Sequence, residues 1–292
     1  YEGGFNSKND LHGESIVTDL DGQQHQIHCQ DGRCYPPQPV YTEIIAPEQI
    51  KEFTCPQGSQ MSDHKNEFAI QIGIHQCYFP KVETIPSFPI KTLIQITTQY
   101  PSITKDYLRL YSFHGDQLLS IYTTNQCQNS FNLLRYYHSF YDTFYQSEYL
   151  AVLKSRRTKM YPQTHYDTRE FVIAYVTGIF EQLHHAMTVK LPQTIVVYRG
   201  IADKINYPVG TIFRSNHFVS TSLSEQVARQ FAYGGQILEI IIPAETPICP
   251  ILGLSQTPKE DEILLDYGSR FVVVEIRYRT LILVLLGKST SQ

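Results

Sequence analysis

The spacing of apolar residues changes once along the chain, near residue 129. Before that point, short alternations of apolar and polar residues are separated by stretches rich in Gly, Gln, Asp and Pro. Alternation with a period of two is typical of half-buried strands. It predicts one strand over 67–79 and a β-hairpin made of 107–113 and 117–122. Residues 1–45 show little periodicity and predict an irregular arm.

Beyond residue 129 the pattern is first helical and then strand-like. Apolar and aromatic residues recur at three- and four-residue steps over 131–159, and Asp167 and Glu170 have the spacing of a capping box for a second helix. The apolar face of that second helix comprises Val172, Tyr175, Val176, Ile179, Phe180 and Leu183. The predicted strands are 195–199, 217–221, 237–242, 262–265, 270–278 and 281–286. Helices followed by consecutive strands predict an α+β fold with largely antiparallel sheets.

The same change predicts the domain organisation. Residues 1–128 are expected to form a small β-containing accessory region, and residues 129–292 the principal domain. Five of the six cysteines lie in the first of these, which indicates disulfides and an oxidising compartment. Around Cys29 and Cys34, nearby histidines leave a zinc site as the alternative to a small disulfide loop. The spacing fits no common zinc pattern, so we expect the disulfide and no metal.

Composition narrows the class of partner. A net charge of -4, with 42% apolar and 18% charged residues, gives no reason to expect a nucleic-acid or membrane-surface partner. No apolar run approaches the roughly 20 residues that span a bilayer, so no transmembrane segment is expected. Because the chain begins with Tyr1 rather than Met, we expect that a leader or upstream portion has been removed. Together with the cysteines, these features predict a secreted or extracellular protein.

Two carboxylates lie two residues apart at the start of a short apolar run. In an extended backbone, Glu260 and Glu262 point to one side and Asp261 points to the other. Like charges this close repel each other, and an unpaired carboxylate is costly to bury. The pair therefore fits either a solvated strand edge or a surface that a cationic group visits.

Two further strand ends carry polar groups. Arg199 and Gly200 end an apolar strand, where a guanidinium can bind a phosphate or carboxylate through two N–H groups and glycine lets a ligand approach the backbone. A surface ion pair is the alternative for the arginine. Ser222 fits a capping box with the glutamate three residues later. Capping does not explain the hydroxyls of Ser220 and Thr221, which would suit an anionic or hydrogen-bonding ligand beside a helix start.

Four segments in this order resemble the arginine-directed mono-ADP-ribosyltransferases, the family of cholera-type and actin-modifying bacterial toxins and of animal ecto-enzymes. They read VVYRG, FVSTSLSEQVARQFA, GQILEIIIP and EDEILLDYGSRF, and they lie within about 167–286. Each is weak alone, but the set in this order is specific. The resemblance implies a fold of two packed, largely antiparallel β-sheets with N-terminal helices. It also implies that NAD is the substrate, that ADP-ribose passes to an arginine of a target protein, and that nicotinamide leaves. Residues 1–128 resemble no family that we can name.

The resemblance also implies roles for the NAD-binding residues. Arg199 would hold the pyrophosphate, and Gly200 would offer backbone groups to the nicotinamide amide. Ser220 would help to place the catalytic glutamate, with Thr221 supporting the strand. Phe231 matches the aromatic residue that stacks on the nicotinamide ring in the toxins, and its alternative is a core residue of an amphipathic helix.

Two roles fall to the glutamates. Glu262 would be the catalytic residue, since a carboxylate at the ribose 2′-hydroxyl stabilises the oxocarbenium character that develops when nicotinamide leaves. Glu260 would orient the acceptor guanidinium and take up its proton. Family members with glutamine at this place modify other acceptors, so a glutamate favours arginine.

Departures from the family pattern concern the target and the affinity for NAD. Thr257 stands where toxins often have an aromatic residue, His217 stands where several have asparagine, and a second arginine after Phe231 is missing. An NAD glycohydrolase could use the same residues with water as the acceptor. A non-catalytic NAD-binding module is disfavoured because Arg199, Ser220 and Glu262 are all present. A Cys-His hydrolase is disfavoured because the single cysteine of the strand-rich half, at position 249, has no local nucleophile motif.

Overall fold

The computed structural model describes two compact units, Tyr1–Val40 and Tyr41–Gln292. The residues described within them are 2–5, 11–18, 24–30, 33–35, 42–45, 55–56, 65–112, 119, 169–202, 204–255 and 261–287. The helix predicted over 131–159, the capping residue Asp167, and the site residues Thr257 and Glu260 lie outside this set. The predicted domain boundary at 128 and 129 also falls outside it.

The first unit contains a four-stranded antiparallel sheet where an irregular arm was expected. Its strands are β1 (Glu2–Phe5), β2 (Leu11–Thr18), β3 (Gln24–Gln30) and β4 (Arg33–Tyr35), and they neighbour one another in chain order. The expectation was wrong because these strands are mostly polar, so hydrophobic alternation does not mark them. The Asp-Gly sequence between β3 and β4 is a hairpin signal. Cys29 and Cys34 are register partners across that hairpin.

The front of the second unit has a hairpin and two helices. Its elements are β5 (Thr42–Ile44), β6 (Glu67–Ile72), β7 (His75–Pro80), α1 (Ile90–Thr98) and α2 (Ser102–Leu110). The single strand predicted over 67–79 is two strands, since Gly73 turns the chain with a φ of 58°. The strand predicted from Tyr107 was wrong, because Thr104, Leu108 and Tyr111 are buried at helical spacing.

The rest of the second unit is a mixed sheet with two helices. Its elements are α3 (Arg169–Ala186), β8 (Val189–Lys190), β9 (Ile195–Ile201), β10 (Ile212–Ser215), β11 (Val219–Ser222), α4 (Glu225–Ala232), β12 (Gln236–Ile242), β13 (Pro247–Pro250), β14 (Glu262–Leu265), β15 (Arg270–Arg277) and β16 (Thr280–Gly287). The strand order is β5-β10-β15-β16-β12-β9-β11-β14-β13-β8. Only β12 and β16 pair in parallel among the described strands of this sheet. The predicted α+β class with largely antiparallel pairing is confirmed.

One joint divides this sheet into two groups of strands. Between β9 and β11 the ladder has a single residue pair, Tyr198 with Ser222. In contrast, β9 pairs with β12 from Ile195 to Ile201, and β11 pairs with β14 along the whole of β11. The joint therefore separates two groups of neighbouring strands. One group is β5, β10, β15, β16, β12 and β9, and the other is β11, β14, β13 and β8. Separating strand edges leave backbone groups that other partners must satisfy.

The front segment shares a core with the sheet. The cluster comprises Ile70, Ile72, Cys77, Phe79, Ile212, Ile241, Val272, Val274, Ile282, Val284 and Leu286. A disulfide joins Cys55 to Cys77, which confirms that the front region contains a disulfide. Arg277 of β15 pairs with Glu83 at 2.6 Å and so ties the segment after β7 to the sheet. These contacts lie within the second compact unit, Tyr41–Gln292.

Helix α3 packs against α2. The predicted apolar face is buried at Val176, Ile179 and Leu183, and the side chains of residues 172 and 175 are outside the described set. A Cβ atom at Gly178 would lie 2.9 Å from the Tyr107 hydroxyl, so the missing side chain permits the close approach. Across the described residues, no helix combines the length and apolar character needed to cross a membrane.

Candidate active site

Strand β9 brings Arg199 to the joint between the two groups of strands. Ile195 and Val197 are buried and anchor the strand, while Arg199 is partly buried at its far end. Its guanidinium Nη1 donates a hydrogen bond of 2.8 Å to the backbone oxygen of Ser220. A side chain of β9 thus donates a hydrogen bond to a backbone carbonyl of β11, where the two strands share only one residue pair.

Ser220 connects this arginine to a buried acid. Its Oγ donates a hydrogen bond of 2.6 Å to Oε1 of Glu262, a residue only 6% exposed. This distance is typical of a charge-assisted bond from a hydroxyl to a carboxylate. A carboxylate out of water needs such partners to offset its desolvation. Arg199, Ser220 and Glu262 therefore lie together, linked by two hydrogen bonds.

Thr221 holds the two strands that carry these groups. Its buried Oγ1 donates a hydrogen bond of 2.6 Å to the backbone oxygen of Ile263. In the register of β11 and β14, Thr221 faces Ile263 and Ser222 faces Glu262. Thr221 thus supports the strand, while the hydroxyl of Ser220, one residue earlier, reaches the carboxylate.

Gly200 is required for helix packing. A Cβ atom at this position would lie 1.9 Å from the backbone oxygen of Ala228 and 2.5 Å from the backbone nitrogen of Ala232. Helix α4 therefore rests directly on β9. The space that a side chain would fill holds helix backbone, so packing explains this glycine without a ligand.

The N-cap residue of helix α4 lies two residues after the predicted one. The N-cap is Ser224, whose side chain accepts a hydrogen bond from the backbone nitrogen of Val227 at 3.4 Å. The predicted cap, Ser222, instead accepts a bond of 2.9 Å from the backbone nitrogen of Ser224. The predicted capping box was wrong because Ser222 is still part of β11 and faces Glu262.

Phe231 is on the outer side of α4. The buried residues of this helix are Ala228 and Ala232, whereas Phe231 is 43% exposed. The alternative of a core residue is therefore wrong. An exposed aromatic ring has a face available for stacking.

His217 lies close to Arg199 and is held by Ser215. The Ser215 hydroxyl donates to the backbone oxygen of His217 at 2.9 Å, and it lies 3.3 Å from the imidazole Nδ1. Burial, followed by the charge of Arg199, lowers the pKa of His217 to about 3. The imidazole is therefore neutral near pH 7. The sequence marked this residue only as a departure from the family pattern.

The backbone before Glu262 is not extended. Asp261 has a φ of 43°, in the left-handed region, and β14 begins only at Glu262. The prediction that Glu260 and Glu262 point to one side assumed an extended backbone at Asp261. That assumption was wrong. Glu260 itself lies outside the described residues.

The buried cysteine near this site is protonated. Cys249 is the register partner of Leu264 and receives a weak contact of 3.9 Å from the Tyr100 hydroxyl. Burial raises the pKa of its thiol to about 12. The nucleophilic form of cysteine is the thiolate, so Cys249 is inert near pH 7. Among the described residues no cluster of three metal-binding side chains occurs.

Comparison with known proteins found a family model that matches part of the chain. Residues 163–285 match the model of the family described as ADP-ribosyltransferase exoenzyme. For this part of the chain, the match confirms the resemblance to ADP-ribosyltransferases that was drawn from the four motifs. It supports an ADP-ribosyltransferase as the class of enzyme, with NAD as the ADP-ribose donor. No curated protein matches the chain.

Several solved structures are similar to it. The toxin Plx2a, an ADP-ribosyltransferase from Paenibacillus larvae, has 15% identity over 67% of this chain and 91% of its own, with a TM-score of 0.42. The C3 exoenzyme of Clostridium limosum has 14% identity over 69% and 97%, with a TM-score of 0.46. A mutant of the eukaryotic mono-ADP-ribosyltransferase ART2.2 in complex with NAD has 20% identity over 70% and 77%, with a TM-score of 0.35. The family-model match over 163–285, rather than this likeness, supports the class of enzyme.

Proposed function

We propose that this protein transfers ADP-ribose from NAD to an arginine side chain of a target protein and releases nicotinamide. The observation that carries the proposal is the pair of hydrogen bonds that joins Arg199, Ser220 and the buried Glu262. These residues are 21 and 42 positions apart along the chain, and the fold brings a cation, a hydroxyl and an acid together.

Glu262 is the proposed catalytic residue. When the bond between the ribose C1′ and nicotinamide breaks, its electron pair leaves with nicotinamide and positive charge develops on the sugar. A carboxylate in a site of low dielectric stabilises that charge, and the hydroxyl of Ser220 fixes the carboxylate in place. The burial of Glu262 supports this role, since an acid kept out of water for no purpose would only destabilise the fold.

The residues proposed to bind NAD lie on or beside the strands that carry Ser220 and Glu262. Arg199 lies at the joint, where its guanidinium can bind the pyrophosphate, and Gly200 follows it with backbone groups for the nicotinamide amide. Thr221 supports the strand that carries Ser220. The exposed ring of Phe231 offers a stacking surface for nicotinamide. His217, neutral near pH 7, adds no second positive charge beside Arg199.

Glu260 is the proposed acceptor residue. A guanidinium is cationic and a poor nucleophile, so a carboxylate that orients it and removes a proton would let its nitrogen attack C1′. The support is its place in the sequence, two residues before Glu262. The partner is accordingly a protein that presents an arginine.

NAD hydrolysis is the second candidate function. The observation that favours it is the left-handed backbone of Asp261, because the same-side placement of Glu260 no longer follows from strand alternation. With water as the acceptor, Arg199, Ser220 and Glu262 would suffice.

A secreted or extracellular location belongs to the same proposal. The disulfide between Cys55 and Cys77 supports it, since disulfides persist in oxidising compartments.

The test is incubation with labelled NAD, using mixed host proteins and the small guanidinium compound agmatine as acceptors. Glu262→Gln is expected to abolish both transfer and NAD hydrolysis, by on the order of a hundredfold or more. Glu260→Gln is expected to remove transfer, whereas NAD hydrolysis falls far less. Rapid nicotinamide release by the parent with no labelled acceptor would favour the glycohydrolase. Variants that both label acceptors like the parent would contradict the assigned roles.

A further inference from the structure

The chain leaves β13 in a closed turn that lies beside Glu262. The backbone nitrogen of Ile251, which is fully buried, donates a hydrogen bond of 3.0 Å to the backbone oxygen of Glu262. The backbone nitrogens of Leu254 and Ser255 donate in turn to the oxygen of Ile251, at 3.0 and 3.2 Å. The backbone of the proposed catalytic residue is therefore held by the 251–255 turn.

Helix α1 contacts this turn from a distant part of the chain. Thr97, in the last turn of the helix, is 2% exposed, and its Oγ1 donates a hydrogen bond of 3.0 Å to the backbone oxygen of Leu252. The two residues are 155 positions apart. Tyr100, just after the helix, has its hydroxyl 3.9 Å from Sγ of Cys249 in β13. The helix end thus contacts the chain on both sides of Ile251.

The hydroxyl of Thr97 has two acceptors within reach. Its Oγ1 also donates, over 2.8 Å, to the backbone oxygen of Ile94 in the same helix. A hydroxyl has one hydrogen, so the two oxygens share it. A bond within the helix is ordinary for threonine, and Thr98 makes one to the oxygen of Gln95 at 2.6 Å. The second acceptor distinguishes Thr97, because it belongs to the turn beside Glu262.

We propose that Thr97 is a positioning residue for Glu262 and acts by holding the 251–255 turn against the strand that carries this carboxylate. Thr97 fixes one residue of the turn, and the preceding residue fixes the backbone of Glu262. The inference rests on the proposed cleavage of NAD and adds a residue to it. It makes α1, which lies outside the residues 163–285 that match the family model, part of the support of the active site.

Loss of the Thr97 hydroxyl should displace the turn. A buried carbonyl that loses its donor destabilises the fold until it finds another partner. The turn can reduce this cost by moving the carbonyl of Leu252 towards water. Such a movement takes Ile251 with it, because neighbouring peptide planes share a Cα atom. The backbone of Glu262 then loses its fixed position, and turnover is sensitive to displacements of about 1 Å at a reacting group.

The experiment measures kcat and the KM for NAD on the full chain, as nicotinamide release with agmatine present. Thr97→Val keeps the branched shape and removes the hydroxyl. We expect its kcat to fall by about tenfold, with the KM for NAD within about twofold of the parent. Thr97→Ser keeps the hydroxyl and should keep kcat within about twofold. Thr97→Cys supplies a weaker donor, so its kcat should lie between those two.

Thr104→Val is the matched control. Thr104 is also a buried threonine, 6% exposed, and its Oγ1 donates to Oε1 of Gln182 at 3.2 Å. Each valine variant removes one buried hydroxyl, so the urea midpoint should fall by a similar amount in both. Only Thr97→Val should lower kcat, because the bond of Thr104 joins α2 to α3 and does not involve the turn.

The outcomes separate the two proposals. A parent that releases no nicotinamide overturns the proposed function, and the inference with it. A parent that cleaves NAD, with Thr97→Val at the same kcat, overturns the inference alone. Equal falls of kcat in Thr97→Val and Thr104→Val also overturn it, because general loosening would then be the cause. A higher KM for NAD at constant kcat overturns it as well, since Thr97 would then serve NAD binding. Where Thr97→Val does not fold, equal kcat values for Thr97→Ser and Thr97→Cys overturn it.

Discussion

The hydroxyl of Ser220 donates a hydrogen bond of 2.6 Å to the carboxylate of Glu262, across two paired strands. The neighbouring hydroxyl of Thr221 donates at the same distance to a backbone oxygen of the same strand. Two adjacent side chains of similar chemistry therefore have separable tasks. One holds the proposed catalytic carboxylate, and the other holds the strand that bears it.

Replacement of Ser220 should separate turnover from stability. Ser220→Ala removes the hydroxyl that donates to Glu262. We expect the turnover of NAD cleavage to fall by about 10- to 100-fold, because the carboxylate loses its orientation. The free energy of unfolding should change by no more than about 1 kcal/mol, since Ser220 is only partly buried. Nicotinamide release and urea unfolding measure the two effects.

Thr221→Val is the matched control for that experiment. It removes the hydroxyl one residue along and leaves the backbone oxygen of Ile263 without that donor in a buried place. The free energy of unfolding should fall by about 1–3 kcal/mol. Turnover of the folded fraction should stay close to that of the parent. Similar losses of turnover in the two variants would contradict the division of tasks.

Substitution of Gly200 should displace helix α4. The atoms that a Cβ would meet are backbone atoms of Ala228 and Ala232, which cannot move aside alone. We expect Gly200→Ala to destabilise the protein by about 3 kcal/mol, at the upper end of what overpacking costs. Thermal unfolding is the measurement. Gly210→Ala serves as the control, since its φ of 89° is strained but its Cβ would meet open space, and it should cost only about 1 kcal/mol.

The stability of the protein should depend on pH through His217. Its pKa falls from the usual 6.5 to about 3 on folding, so between these values the unfolded chain binds a proton that the folded chain does not. Stability is therefore lost as the pH falls from about 6.5 towards 3. One group that binds a proton only in the unfolded chain gives a slope of about 1 kcal/mol per pH unit between these values.

His217→Asn should remove that part of the pH dependence. Urea unfolding midpoints of the parent and the variant, compared between pH 4 and pH 7, isolate the histidine from the carboxylates that both proteins share. A constant difference between the two proteins over this range would contradict a neutral, desolvated His217.

Loss of the disulfide should destabilise the second unit. Cys55 and Cys77 close a loop with a sequence separation of 22, and the hairpin that contains Cys77 shares the core of the sheet. We expect a double Cys55→Ala and Cys77→Ala variant to lose about 3 kcal/mol. Urea unfolding with and without a reductant provides the check, because a reductant should destabilise the second unit of the parent and leave the second unit of the double variant unchanged.

Long apolar strands could be predicted from the sequence because their pattern is local. Strands β12, β14 and β16 follow the predicted segments closely, since runs of Ile, Leu and Val of this length leave few other solutions. Strands β8, β10 and β13 were missed, because each has two to four residues and none contains a run of Ile, Leu and Val like that of β14. The strands of the first unit were also missed, because they are mostly polar and show no alternation of apolar and polar residues.

By itself, the sequence determined the α+β class, the resemblance to ADP-ribosyltransferases and the residues worth testing, because motif order and apolar runs are properties of neighbouring positions. Only the tertiary structure decided that the ladder between β9 and β11 has a single residue pair. It also showed that helix backbone occupies the space a Cβ atom of Gly200 would need, and that Asp261 has a left-handed backbone conformation before Glu262. Each of these depends on contacts between segments distant in the chain. A pattern of neighbouring residues does not show which distant segment a strand or helix will contact. Strand pairing and helix packing therefore decide the backbone conformation at such contacts.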